Sequence, residues 1–231
     1  MTDLTTADVA GRLGVTIRRA LGLVLEKKIA GRQLSSGVWL VDAASVARYE
    51  RMAGPGSGRT LSQAASWAVL WELSGLEVTW LGESTHARVR RRIRDSSAED
   101  IARAVATRTT EHRYTAANPE RVQTKVMATG RAGISALSHL DLDLADDQRS
   151  VCGYVREGSL ENFAVDNFLL VASDGQDVLY ENTLPIQWDA DIMPSAVVAA
   201  DLARSSLSRE HSAGVLALGL LREQWLARRS R

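Results

Sequence analysis

Cysteine is almost missing from this 231-residue chain. Cys152 stands alone, which excludes an internal disulfide and any cysteine-based zinc knuckle or finger. His86, His112, His139 and His211 never fall at metal-ligand spacing, so no resident metal is expected. No run of eighteen apolar residues exists, and no helix is expected to span a membrane. The opening Met1-Thr-Asp-Leu4 lacks the basic stretch and apolar run of a signal peptide. A cytoplasmic protein follows as the expectation. Catalytic vocabulary is missing too. There is no Walker loop, no Gly-x-Gly-x-x-Gly after a strand, no His-Glu-x-x-His and no Gly-x-Ser-x-Gly. Asp166, Asp174, Asp177 and Glu181 could surround a magnesium ion, but residues 141–231 contain no lysine to assist phosphodiester cleavage. The sequence therefore predicts no enzyme and no cofactor. Cys152, in an apolar run, reads as packing rather than as a nucleophile.

What is present is ordinary globular material, 45% hydrophobic and 24% charged, enough for one or two domains. The net charge of zero hides an asymmetry. Residues 1–52 hold 8 basic and 5 acidic side chains, residues 53–140 hold 12 and 8, and residues 141–231 hold 8 and 15. The first two-thirds can face a polyanion, whereas the last third, at −7, repels one. Ala53-Gly-Pro-Gly-Ser-Gly58 cannot hold a helix or strand and marks a linker.

Ahead of that linker the pattern reads helix, turn, helix, hairpin, helix. Thr5-x-x-Asp8 is a capping box that opens a helix with Val9, Ala10 and Leu13 on one face. Gly14 supplies the left-handed residue of a sharp turn. Thr16 caps a second helix running to about Lys28, with Leu21, Val24 and Leu25 facing inward. Gly22 sits in its middle at a cost of about 1 kcal/mol against alanine. Ile29 to Val41 reads as two short strands about a Ser35-Ser36-Gly37 turn. Asp42 caps a third helix whose Val46 and Tyr49 point to the core.

Beyond the linker, residues 60–140 read as mainly helical. The predicted helices are 61–75, 84–94, 98–106, 119–127 and 130–137, with a strand over 107–115. Residues 150–185 read as strands over 151–155, 167–172 and 178–184. Asp174-Gly175 offers a hairpin turn between the last two. Two helices follow, from Pro194 and from Ser208, the latter with Val215, Leu218, Leu221 and Trp225 along one face. Trp67, Trp71 and Trp80 read as core.

Helix, tight turn, helix and hairpin form the winged helix-turn-helix plan, in which the second helix enters a major groove about 12 Å wide. Thr16, Ile17, Arg18 and Arg19 stand at the start of that helix. Arginine suits guanine O6 and N7, and a helix start can hold a phosphate. Lys27, Lys28 and Arg32, with Ser36 in the hairpin turn, suit backbone contact. Arg88-Val-Arg-Arg-Arg-Ile-Arg94 puts five arginines in seven residues. With Val89 and Ile93 turned inward, Arg88, Arg90, Arg91, Arg92 and Arg94 form either a second phosphate surface or a solvated face.

Leu4-Thr-Thr-Ala-Asp-Val-Ala-Gly-Arg-Leu-Gly-Val-Thr16, with Lys28-Ile29, Trp39-Leu-Val41 and Asp42-x-x-x-Val46-x-x-Tyr49, resembles the excisionase-type and MerR-type winged helix-turn-helix family. Pro194-Ser-Ala-Val-Val-Ala-Ala-Asp201, followed by Arg209-Glu210 and an apolar helix, resembles the C-terminal segment of AbiEi-like antitoxins. The order of parts resembles that family as well. The resemblance implies an α+β chain. It has a winged helix-turn-helix DNA-binding domain over 1–53, a linker at 54–58 and a mixed α/β C-terminal domain over 59–231. It further implies a nucleoid-associated repressor that binds double-stranded DNA of its own promoter. Its partner would be a nucleotidyltransferase-like toxin. A ligand-sensing transcriptional regulator and a magnesium-dependent DNA-directed enzyme are the alternatives. The sequence sets no oligomeric state.

Overall fold

A computed structural model describes residues 3–26, 28–53, 61–142, 144, 150–172 and 174–229, apart from the side chains of residues 44, 48 and 51–53. The expected linker at 54–58 lies outside the described residues. The chain divides into two compact units, Met1–Gly56 and Ser57–Arg231. Each combines helices with a sheet, so the chain is α+β. Among the described residues no helix is long and apolar enough to cross a membrane.

The first unit runs β1 (Asp3–Thr5), α1 (Thr6–Leu13), α2 (Ile17–Leu25), β2 (Gly31–Gln33), β3 (Trp39–Asp42) and α3 (Ala43–Ala53). Thr5 and Asp8 close the capping box on α1, and Gly14 ends that helix at φ 64°. Two residues later Thr16 caps α2 by accepting the Arg19 N–H. The Asp42 carboxylate accepts the Ser45 N–H at the start of α3. Strand β1, absent from the sequence reading, pairs with β3, giving a three-stranded sheet in the order β1-β3-β2. Val9, Ala10, Ala20, Leu23, Val24, Ile29, Val41 and Val46 fill the core between helices and sheet.

Helix α2 stops at Leu25, short of the expected Lys28. The N–H groups of Lys28 and Ile29 both donate to the Leu23 carbonyl, which closes the helix and swings Ile29 into the core. The inward residues are Ala20, Leu23 and Val24. Leu25, expected to face inward, is 63% exposed.

The second unit opens with helices α4 (Gln63–Leu73), α5 (Glu83–Asp95) and α6 (Ala98–Val105). There follow β4 (Glu111–Ala116), α7 (Pro119–Gln123), β5 (Val126–Ala128), β6 (Cys152–Val155), α8 (Leu160–Asp166), β7 (Leu169–Val171) and β8 (Asp177–Tyr180). Helices α9 (Ser195–Leu202) and α10 (Ser208–Arg229) complete it. The sheet order is β5-β6-β8-β4-β7, antiparallel except for β6 beside β8. Cys152, Tyr154, Val178 and Tyr180 point from the sheet into the main core, shared with α4, α9 and α10. Val155, Leu179 and Tyr114 meet Leu160 and Ala164 of α8 in a smaller core. Every residue from Ala196 to Leu202 is buried, which explains why α9 is apolar on all sides.

Several expectations fail here for non-local reasons. Residues 126–128 continue no helix. Val126 and Met127 enter the smaller and the main core respectively, the alternation of a strand, and β5 pairs with β6. The strand expected from Thr107 begins at Glu111, because residues 106–108 form a 3-10 turn that buries Arg108. Residues 130–140 are also 3-10 rather than α-helical. Helix α8 interrupts the region read as strands, and Ser208 is the first residue of α10 rather than its cap. The Asp174-Gly175 hairpin does not form, since β4 lies between β7 and β8. Gly175 serves close packing instead. A Cβ there would lie 2.2 Å from the Tyr114 carbonyl oxygen.

Candidate nucleic-acid interface

At 100° per residue, α2 turns Arg18, Gly22 and Leu25 directly away from the buried Ala20, Leu23 and Val24. Leu21 flanks this outer line on one side, and Arg19 with Glu26 on the other. The expected contact residues do not all share one environment. Arg18 is exposed and makes no ion pair among the described residues. Arg19 is drawn along the helix to Glu26, Nη1 to Oε1 3.2 Å, and Lys28 Nζ lies 2.7 Å from the other oxygen of that carboxylate. Lys28 and Arg19 together hold the Glu26 carboxyl below its usual range. Arg32 on β2 reaches Asp3 at 3.1 Å. Ser36 is exposed in the β2–β3 turn, where Gly37 has φ 84°. Ile17 is 57% exposed in the first turn of α2. The amides of Ile17 and Arg18 precede the first intrahelical bond and are free for an anion. Thr16 spends its hydroxyl on the cap. Lys27 lies outside the described residues.

The arginine run in the second unit occupies α5. Val89 and Ile93 are buried, as the spacing predicts. The five arginines separate. Arg88, Arg91 and Arg94 are exposed at i, i+3 and i+6 along one face. Arg90 turns back, its Nε 2.9 Å from Glu72 Oε1, and Arg92 is half-buried. Between α6 and α10 lies a groove of about 480 Å³, lined by Ala98, Val215, Leu216 and Leu220 with the carboxylates of Glu99 and Glu223.

Two buried charge centres brace this unit. Asp201 of α9 accepts from Arg108 Nη2 at 2.5 Å, from Thr129 Oγ1 at 2.8 Å and from Tyr154 Oη at 2.9 Å. Arg108 is wholly buried, lies 5.2 Å from the Trp67 ring centroid and donates to the Val105 carbonyl. Burial disfavours its charge, yet the facing Asp201 carboxylate more than compensates and raises its pKa. Burial also pushes the Tyr154 and Tyr180 hydroxyls well up and the Cys152 thiol up to about 12, so Cys152 is no thiolate nucleophile at neutral pH.

The second centre is Glu72 of α4. It accepts from His86 at 2.5 Å, Trp225 Nε1 at 2.8 Å, Arg229 at 2.8 Å and Arg90 at 2.9 Å. Burial alone would raise its pKa. The converging donors prevail, Trp225 and Arg90 foremost, and lower it from 4.5 to about 2. A carboxyl depressed in the folded state stabilises fully above its unfolded value and loses that contribution as pH falls through its folded value. Glu72 is therefore expected to stabilise the fold undiminished above pH 4.5 and to stop doing so near pH 2. Urea melts of the wild type and Glu72→Gln across that window check this. The stability gap should close on acidification, and a constant gap would remove the charge from the account.

Comparison with family models, with curated proteins and with solved structures finds no match. Among the described residues no group of three or more His, Cys, Asp or Glu side chains could hold a metal. Of the four acids that the sequence offers to a magnesium ion, Asp177 is buried and accepts from the Val151 and Ala116 amides, each at 2.7 Å. Glu181 pairs with His112. Sequence reasoning missed Glu72, Asp201, Arg108 and the pairing of Glu26. Glu72 and Asp201 did carry a signal, since each is a lone acid inside an apolar helical run, Trp67 to Leu73 and Ala196 to Leu202. Such an acid must find buried donors or break the core.

Proposed function

We propose that the first unit is a winged helix-turn-helix domain that binds duplex DNA sequence-specifically, and that the chain is an autorepressing transcriptional regulator of the antitoxin type. The observation that carries the reading is the outer face of α2. A capped helix start, first-turn amides and an Arg18 that has no ion-pair partner among the described residues stand together on an exposed surface, with the β2–β3 hairpin following in sequence. Arg18 is the base reader, suited to guanine O6 and N7. Arg19, Lys28 and Arg32 already have carboxylate partners in Glu26 and Asp3. They serve phosphates, which replace those exposed and weakly held carboxylates. Arg88, Arg91 and Arg94 offer a further phosphate-facing line. The −7 balance of residues 141–231 and the acid-lined groove between α6 and α10 suit a basic protein such as a nucleotidyltransferase-like toxin.

The two arginines should behave differently. Arg18→Ala is expected to cost roughly 1–3 kcal/mol on the duplex upstream of the protein's own coding sequence and to relax preference for it over unrelated DNA. Arg19→Ala should weaken both duplexes alike and lower the salt slope by about one. Fluorescence anisotropy at several salt concentrations measures both. Wild-type binding by Arg18→Ala would remove α2 as the reader.

A further inference from the structure

Gly22 has no structural reason to be glycine. It lies inside α2, does not adopt a positive φ, and among the described residues a Cβ added there would meet nothing nearer than Glu26 Oε1 at 3.9 Å. Alanine would fit and would make a better helix by about 1 kcal/mol. The fold gains nothing from the missing side chain, so the missing side chain serves something outside the fold. It sits at the centre of the outer face of α2, one turn from Arg18 and next to Leu21 and Leu25. Of the apolar side chains beside it, Leu25 is 63% exposed and Leu21 half-buried, and neither belongs to the core of this unit. A helix start with an arginine, a glycine on its outermost line and leucines beside that glycine has the chemistry of a major groove holding thymine. The thymine C5-methyl is the one apolar group that a base presents there, and apolar side chains recognise it. Glycine lets a helix backbone come close to its ligand.

We infer that α2 reads thymine methyl groups with Leu21 and Leu25, and that Gly22 lets the helix approach the groove floor closely enough for those contacts and for the Arg18 contact to form together. This rests on the DNA-binding reading above and adds to it the base class of the site, a guanine flanked by thymines.

The experiment uses the full chain. It first selects its preferred site from a library of random duplexes. Each thymine of that site is then replaced singly by uracil, which removes the methyl group and nothing else. Burying one methyl group corresponds to about fourfold in affinity, so at least one position should lose about that factor. Leu25→Ala or Leu21→Ala should abolish the loss at its own position while leaving the others. Gly22→Ala is compared with Gly11→Ala, a second helix-interior glycine whose Cβ meets nothing within 4 Å. Both should raise the melting temperature, and only Gly22→Ala should weaken the selected site, by at least about fivefold. If a site is selected but every uracil substitution is silent and Gly22→Ala binds like wild type, the inference is overturned and the DNA-binding reading stands. If no sequence is enriched, that reading is overturned, and the inference with it.

Discussion

Asp201→Ala is expected to destabilise the second unit by about 3–5 kcal/mol, the usual cost of leaving a buried charge without its partner. Arg108 is the most deeply buried charge left behind, and the buried Arg204, whose Nη1 lies 3.8 Å from Asp201, loses the same partner. Arg108 is fully buried, and its remaining partners, the Val105 carbonyl and the Tyr154 hydroxyl, are neutral. Thr129 and Tyr154 lose their acceptor in the same step. For a unit of this size the loss corresponds to roughly 10 °C in melting temperature. The cost belongs to the unpaired cation rather than to any net worth of the ion pair. The double variant Arg108→Met with Asp201→Leu should therefore recover part of it, because an apolar pair of similar volume can replace a buried ion pair, while Arg204 still lacks its partner. Thermal and denaturant melts of the three proteins decide the point. A double variant no better than Asp201→Ala would mean that the network holds the fold through hydrogen bonds that methionine and leucine cannot supply.

Gly214→Ala is expected to cost about 3 kcal/mol, although alanine is the better helix former. A Cβ at Gly214 would lie 2.3 Å from the Ala203 nitrogen, 2.6 Å from the Ala199 oxygen and 2.8 Å from the Leu202 carbonyl carbon, all backbone atoms. None of them is the end of a flexible side chain, so α10 must withdraw from the end of α9. That movement disturbs Ala217, Leu218 and Leu221, which are buried against the same core. Gly219 provides the comparison. Five residues along the same helix, its Cβ would meet only Ala98 Cβ at 3.7 Å, an ordinary contact. Gly219→Ala should be neutral or stabilising by up to about 1 kcal/mol. Equal effects from both substitutions would show that helix propensity, not the crossing with α9, sets the outcome.

What could be read from the sequence is what neighbouring residues decide between themselves. The Thr5–Asp8 capping box, the left-handed Gly14, the Thr16 cap and the inward Val89 and Ile93 are all local, and the structure has them. The end of α2 could not be read, because it depends on Ile29 finding the core. The sheet order could not be read either. Asp174-Gly175 looks like a hairpin turn until β4 takes the place between β7 and β8. Strand β5 has three residues, too few for an alternation to stand out. At the candidate interface the sequence placed Arg18 and Arg19 side by side as equals. Only the three-dimensional reach of Glu26, seven residues beyond Arg19, separates them. The exposure of Leu25 was hidden by its helical spacing with Leu21, which looks the same for an inward and an outward stripe.

The central claim is that α2 and the hairpin after it meet DNA. Amide NMR of the full chain, titrated with the duplex upstream of its own coding sequence, tests it residue by residue. The perturbed amides are expected to concentrate in α2, from Ile17 to Leu25, and in residues 31–37 of the hairpin, and the perturbations to vanish in high salt. Saturable binding that leaves those residues unmoved and perturbs only residues 88–94, or no binding at any salt concentration, would contradict it.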